Sequence, residues 1–227
     1  MRLPAAVLWD LDGTLVDSEP YWAKAERRLA EIHGFEWTEA DELSLVGYAL
    51  PDSGAVLQSR GIDMSVEEIV EFMVQSVVTD IDQAVPWQPG ALAILTALSA
   101  AKVPCALVTM SYQAIADQIV ANAPTGTFQV VISGDNVTHG KPHPEPYLLS
   151  AERLGVDISQ SVAVEDSLTG LASAHSAGAQ VLAVQRNLRI PAATARSRVA
   201  DLVSITVEDL SRIAAGTVID RLVDLDK

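Results

Sequence analysis

The sequence predicts an α/β protein: a doubly wound, all-parallel sheet with a wholly helical segment inserted after the first strand. Three observations carry this. Short valine-rich runs recur without polar alternation, as in strands covered on both faces. Helical patterns separate most of them, which calls for crossover connections. Residues 17–86 break the alternation and hold helical patterns only.

The first apolar run is AAVLWD (Ala5–Asp10). VPCALVT (Val103–Thr109), FQVVIS (Phe128–Ser133), SVAVED (Ser161–Asp166) and AQVLAV (Ala179–Val184) follow. Helices are expected over Gly90–Ala101, Ser111–Ala121, Pro144–Leu154 and Ser167–Ala177, and a last one after Thr206 as N-cap. In the insertion the expected helices are Pro20–His33, Glu39–Val46, Ser53–Ser59 and Val66–Asp82. Ser65 and Glu68 have capping-box spacing before the last of these. The expected domains are therefore a core of residues 1–16 and 87–227 and a helical cap of residues 17–86. Hinges are expected near Val16–Ser18 and Pro86–Pro89.

The 227 residues are enough for a substantial core, and 49% of them are hydrophobic. Thirty acidic residues against 15 basic ones give a net charge of −15. Such a surface repels phosphate backbones and anionic lipid, so neither nucleic acid nor membrane is an expected partner. The single cysteine, Cys105, lies in an apolar run and reads as a core residue, and no disulfide framework is possible. With the first strand starting almost at Met1, no signal peptide is expected and the location expected is cytoplasmic.

Ligands of doubly wound sheets bind outside the carboxyl ends of the strands. Asp10 ends the first predicted strand, with Asp12 two positions on; Thr109, Met110 and Ser111 follow the second. The loop GDNVTHGKPHPEP carries Lys141 after the third, and Glu165 and Asp166 end the fourth. Singly, each has an ordinary explanation: a solvated strand end, a turn, an N-cap, a surface lysine. Together they place four carboxylates, a hydroxyl and an ammonium on one sheet edge. Hard oxygen donors of this kind suit Mg²⁺, which binds through one or two carboxylates and substrate phosphate. A carboxylate there can act as nucleophile, and a neighbour two residues on can move the proton. His139 and His143 flank Lys141 and are assigned no chemistry.

DLDGTLVD, with Thr109, GKPHPEPY and VEDS in that order, resembles the haloacid dehalogenase-like superfamily. The likeness is to its branch with a helical cap, which includes β-phosphoglucomutase and sugar-phosphate and phosphoglycolate phosphatases. That resemblance implies a Rossmann-like core and assigns roles. Asp10 would be nucleophile and Mg²⁺ ligand, and Asp12 the general acid/base, its carbonyl also on the metal. Thr109 and the backbone N–H of Met110 would bind phosphoryl oxygens, and Lys141 would balance their charge. Asp166 would ligate Mg²⁺, with Glu165 as a second acidic contact. The cap would open and close over the site. Asp12 argues against the superfamily's dehalogenases, which lack an acid/base aspartate there. SLVGYALPDSG has no lysine for the Schiff base of its phosphonatases. Trp22 and Leu50 stand where β-phosphoglucomutase carries a histidine and an arginine. The expected function is thus Mg²⁺-dependent hydrolysis of a small phosphorylated metabolite through an aspartyl-phosphate. The alternatives are a phosphomutase or a non-catalytic binding protein on the same scaffold.

Overall fold

The structure, a computed structural model, describes residues 2–45, 48, 50–186 and 188–222. It divides into two compact units, Met1–Asp17 with Trp87–Lys227, and Ser18–Pro86.

The first unit is built on a parallel sheet ordered β3-β2-β1-β4-β5-β6. Its strands are β1 (Val7–Trp9), β2 (Cys105–Val108), β3 (Phe128–Ile132), β4 (Val162–Glu165), β5 (Gln180–Val184) and β6 (Arg196–Val199). Every pairing is parallel, with Leu8 opposite Ala106 on one side and Ala163 on the other. β1, β2 and β4 are buried along their whole length, as a run that is apolar up to Glu165 at the end of β4 requires. β3 lies at the edge, and Gln129 in it is exposed, so the expectation of two covered faces fails there.

Helices α5 (Ala91–Ala100), α6 (Gln113–Asn122), α7 (Glu145–Leu154), α8 (Leu168–Ser176) and α9 (Val207–Ala214) complete the unit. Ser167 caps α8 by accepting from the Gly170 N–H, and Thr206 and Asp209 form a reciprocal capping box on α9. One core cluster joins Leu8, Ala106, Val108 and Ala163 of the central strands to Tyr147, Leu171 and Ala174 of α7 and α8. Cys105 is buried among these strands, and burial pushes its thiol up to about 12, consistent with a packing residue.

β6 was not expected from its sequence, Arg-Ser-Arg-Val. Arg198 is nevertheless buried, because its guanidinium donates to Asp220 Oδ2 at 3.0 and 2.9 Å and to the Ile190 carbonyl at 2.8 Å. The chain leaves and re-enters this unit side by side: Val16 bridges Trp87, and the Gln88 N–H donates to the Leu15 carbonyl at 2.8 Å.

The second unit contains α1 (Glu19–His33), α2 (Glu39–Leu45), α3 (Leu50–Ser59) and α4 (Val66–Gln83). Proline in the first turn and a left-handed Gly34 past the end bound α1. Ser65 and Glu68 make the capping box that their spacing predicts. Lys24 on α1 donates to Asp80 on α4 at 2.6 Å, and Trp37 Nε1 donates to buried Glu26 at 3.0 Å. Burial pushes the Glu26 carboxyl up to about 7, against the pull of that indole donor. α3 starts three residues before its expected beginning; Val46 and Gly47, at the expected end of α2 and beyond it, lie outside the described residues. Among the described residues no helix is long and apolar enough to cross a membrane.

Candidate active site

The strand order reverses at β1, where the chain runs outward to β2 and β3 before returning to lay β4 on the other flank. Such a switch point leaves a crevice at the carboxyl ends of the two adjacent strands. Asp10 follows β1, Glu165 ends β4 and Asp166 follows it. The Asp10 N–H donates to the Val164 carbonyl at 3.0 Å, which fixes the register of the two chain ends. One carboxylate oxygen from each of Asp10, Glu165 and Asp166 lies within 4.8 Å of the others.

Lys141 enters this cluster from the loop after β3. Its ammonium donates to Asp10 Oδ1 at 2.7 Å, Glu165 Oε1 at 2.6 Å and the Val108 carbonyl at 2.8 Å. All three N–H bonds are thereby used, as a buried ammonium requires. Burial opposes its charge, but the Asp10 and Glu165 carboxylates outweigh that and hold Lys141 above the usual lysine range.

Glu165 is fully buried and closely surrounded. Oε1 also accepts from the Tyr147 hydroxyl at 2.7 Å, and Oε2 accepts from the Ser167 hydroxyl at 3.1 Å. A Cβ on Gly170 would stand about 2 Å from its carboxylate atoms, so only glycine leaves room for it. The Tyr147 phenol is pushed well up by its burial and by the adjacent Glu165 charge, and it serves as a neutral donor.

Asp12 lies at the other side of the turn. Its Oδ2 accepts from Ser111 Oγ at 2.6 Å and Thr109 Oγ1 at 3.2 Å, while Thr109 Oγ1 accepts from the Ser111 N–H at 2.9 Å. Gly13 adopts a left-handed φ of 86°, and a Cβ there would fall 2.1 Å from Asp166 Oδ2. The Thr14 hydroxyl reaches Asp166 Oδ1 at 3.5 Å. Met110 contributes its sulfur, which accepts from the Lys141 N–H at 3.4 Å and so steadies the lysine loop.

All seven residues singled out in the sequence thus meet at one edge of the sheet: Asp10, Asp12, Thr109, Met110, Lys141, Glu165 and Asp166. The Thr109 hydroxyl is directed onto Asp12, and the carboxylate of Glu165 is engaged by Lys141, Tyr147 and Ser167. Ser111 and Tyr147 were missed as site residues. Ser111 stands three positions past the end of β2, and Tyr147 is the third residue of α7, where each also reads as an ordinary helix-start residue.

The charge balance points to a cation. One ammonium faces three carboxylates, and among the described residues buried Asp10 Oδ2 has no hydrogen-bond partner. Burial, and then the Glu165 charge, raise the Asp10 carboxyl well above its ordinary range and push Asp166 up to about 7. An orphaned buried oxygen beside a second carboxylate is a fitting place for a hard divalent ion such as Mg²⁺.

Residues 7–184 match the family described as "Haloacid dehalogenase-like hydrolase". Hexitol phosphatase A of Escherichia coli is 32% identical over 90% of this chain and 92% of its own. The phosphorylated carbohydrates phosphatase of Thermotoga maritima is 32% identical over 76% of this chain and 81% of its own. The crystal structure of CbbY from Rhodobacter sphaeroides, in complex with phosphate, shares the fold with a TM-score of 0.79. It covers 92% of this chain and 99% of that one at 21% identity.

Proposed function

The chain belongs to the haloacid dehalogenase-like hydrolase family, and we propose that it is a Mg²⁺-dependent phosphatase acting on a small phosphorylated metabolite of the sugar-phosphate kind. The observation that carries the reading is the orphaned Oδ2 of Asp10, whose other oxygen is held by Lys141. Lys141 fixes the carboxylate and favours its ionised form, the condition of a nucleophile.

In this reading a carboxylate oxygen of Asp10 attacks phosphorus and the bond from phosphorus to the ester oxygen breaks. Asp12 gives its proton to the departing alkoxide, then takes one from the water that attacks the aspartyl-phosphate, releasing inorganic phosphate and restoring Asp10. Ser111 and Thr109 both donate to Asp12 Oδ2, which orients the carboxyl for both transfers. Lys141 offsets negative charge on Asp10 and on the phosphoryl oxygens. Asp10 and Asp166, with the carbonyl of Asp12, would hold Mg²⁺, and Glu165 offers a further carboxylate. When bound, that ion supplies positive charge against the transferring phosphoryl group.

The test is phosphate release from p-nitrophenyl phosphate and a panel of sugar phosphates, with Mg²⁺ or a chelator, for the wild type and Asp10→Asn. Metal-dependent release that the variant loses, with its fold intact, supports the reading. Substantial release by Asp10→Asn refutes the nucleophile. Isomerisation of a sugar phosphate without release favours the phosphomutase alternative, and no turnover of any phosphate ester favours the binding protein.

A further inference from the structure

The loop that delivers Lys141 carries a second group of metal-ligating side chains on its outer side. His139 and His143 stand two residues either side of the lysine, and Glu145 opens α7 just beyond. One ligand atom from each of the three lies within 4.8 Å of the others. Lys141 turns inward to Asp10 and Glu165, whereas the two imidazoles face solvent, with side chains 61% and 51% exposed.

The arrangement is held in place by the backbone. Glu145 Oε1 accepts from the Thr138 N–H at 2.7 Å and Oε2 from the His139 N–H at 3.0 Å. The His143 N–H donates to the Gly140 carbonyl at 3.0 Å, and its own carbonyl accepts from Ser173 Oγ of α8 at 2.6 Å. His139 Nδ1 lies 2.9 Å from Glu145 Oε2, and His143 Nδ1 lies 3.9 Å from the same oxygen. Metal–ligand bonds of ~2.0–2.1 Å in a tetrahedral site put neighbouring donors about 3.3 Å apart. The two observed separations bracket that value, so small side-chain rotations would bring the donors to it. The imidazole rings stand 4.6 Å apart at 34°, close enough to converge on one ion.

We propose that His139, His143 and Glu145 form a surface site for a borderline d-block cation of the Zn²⁺ class, separate from the carboxylate cluster around Asp10. Two imidazole nitrogens and one carboxylate oxygen match the preferences of Zn²⁺, while the carboxylates of Asp10 and Asp166 match those of Mg²⁺. The Glu145 carboxyl is already held below its usual range by the Thr138 N–H and the His139 ring, so it is a charged donor. Metallation of His143 through Nδ1 would use the lone pair that now accepts from the Glu145 N–H at 3.2 Å, a long bond. The ion would brace the loop on both sides of Lys141. The proposal stands apart from the phosphatase reading, since none of its ligands takes part in that chemistry.

The test is calorimetric titration of Zn²⁺ into the whole chain in saturating Mg²⁺, for the wild type, His139→Ala, His143→Ala and Asp166→Asn. Exposure of both imidazoles means that the histidine variants keep the fold, and circular dichroism checks this. The expected result is a Zn²⁺-binding event that weakens about tenfold or more in each histidine variant and persists in Asp166→Asn. A thermal midpoint raised by Zn²⁺ in the wild type, and not in His139→Ala, gives a second readout. Absence of Zn²⁺ binding overturns the proposal. So does binding that Asp166→Asn removes and the histidine variants leave unchanged, because the ion then sits with the acidic cluster.

Discussion

Replacing Lys141 with methionine tests whether one ammonium holds the carboxylates at the strand ends together. Methionine keeps most of the volume and removes the charge. The lost group donates three hydrogen bonds of 2.6–2.8 Å, to Asp10, Glu165 and the Val108 carbonyl, with its side chain only 5% exposed. Removing one partner of a buried ion pair costs about 3–5 kcal/mol, because the remaining charge is left in a medium that solvates it badly. That loss is expected in metal-free buffer at about pH 8, where the carboxylates are asked to remain ionised. In acid the deficit should shrink. The Asp10 carboxyl is raised by burial and by Glu165 even with the lysine present, and without it the carboxyl rises further. A carboxyl whose folded value is raised stabilises the protein at low pH and loses that contribution as pH rises through the folded value. The lysine itself is raised above 10.5, so its pairing in the wild type is constant throughout this range. Urea unfolding of both proteins with a chelator, at about pH 5 and about pH 8, measures the effect. An unmoved midpoint at both values would show that the ammonium is not a structural partner. A larger deficit in acid than in alkali would refute the electrostatic account.

Three further outcomes are expected. Because Asp166 is pushed up to about 7 without a cation, protons compete with Mg²⁺; its affinity should fall about tenfold per pH unit below that value, and calorimetry showing a flat profile would count against Asp166 as a ligand. Gly13→Ala places a Cβ 2.1 Å from Asp166 Oδ2 at a φ of 86°. It should destabilise by about 1–3 kcal/mol and raise the Mg²⁺ concentration needed for half-maximal turnover, both read from thermal melts and metal titrations. Tyr147→Phe removes the 2.7 Å hydroxyl donor to Glu165 and should lose about 1.5–3 kcal/mol in urea unfolding, the range for a hydrogen bond to a charged group; an unchanged midpoint would show that Glu165 needs no such donor.

The central strands were legible from local sequence, because a strand buried on both faces must be apolar throughout. β1 and β2 obey that rule, and β4 and β5 depart from it only at their ends, with Glu165 and Gln180. So were the capping box of α4, which depends on residues three positions apart, and the Thr206 N-cap of α9. The residues at the strand ends were legible as well, since strand direction alone puts Asp10, Thr109, Glu165 and Asp166 on one edge. Only the tertiary structure decided how those groups divide their hydrogen bonds. Nothing local to VAVEDS reveals that Lys141 and Tyr147 enclose Glu165, or that Gly170 must lack a Cβ to admit it. β6 was hidden for the same reason: Arg198 looks like a surface residue until Asp220, far along the chain, neutralises it. Backbone periodicity is encoded over a few residues and can be read from them, whereas the compensation of a buried charge depends on partners that only folding brings within reach.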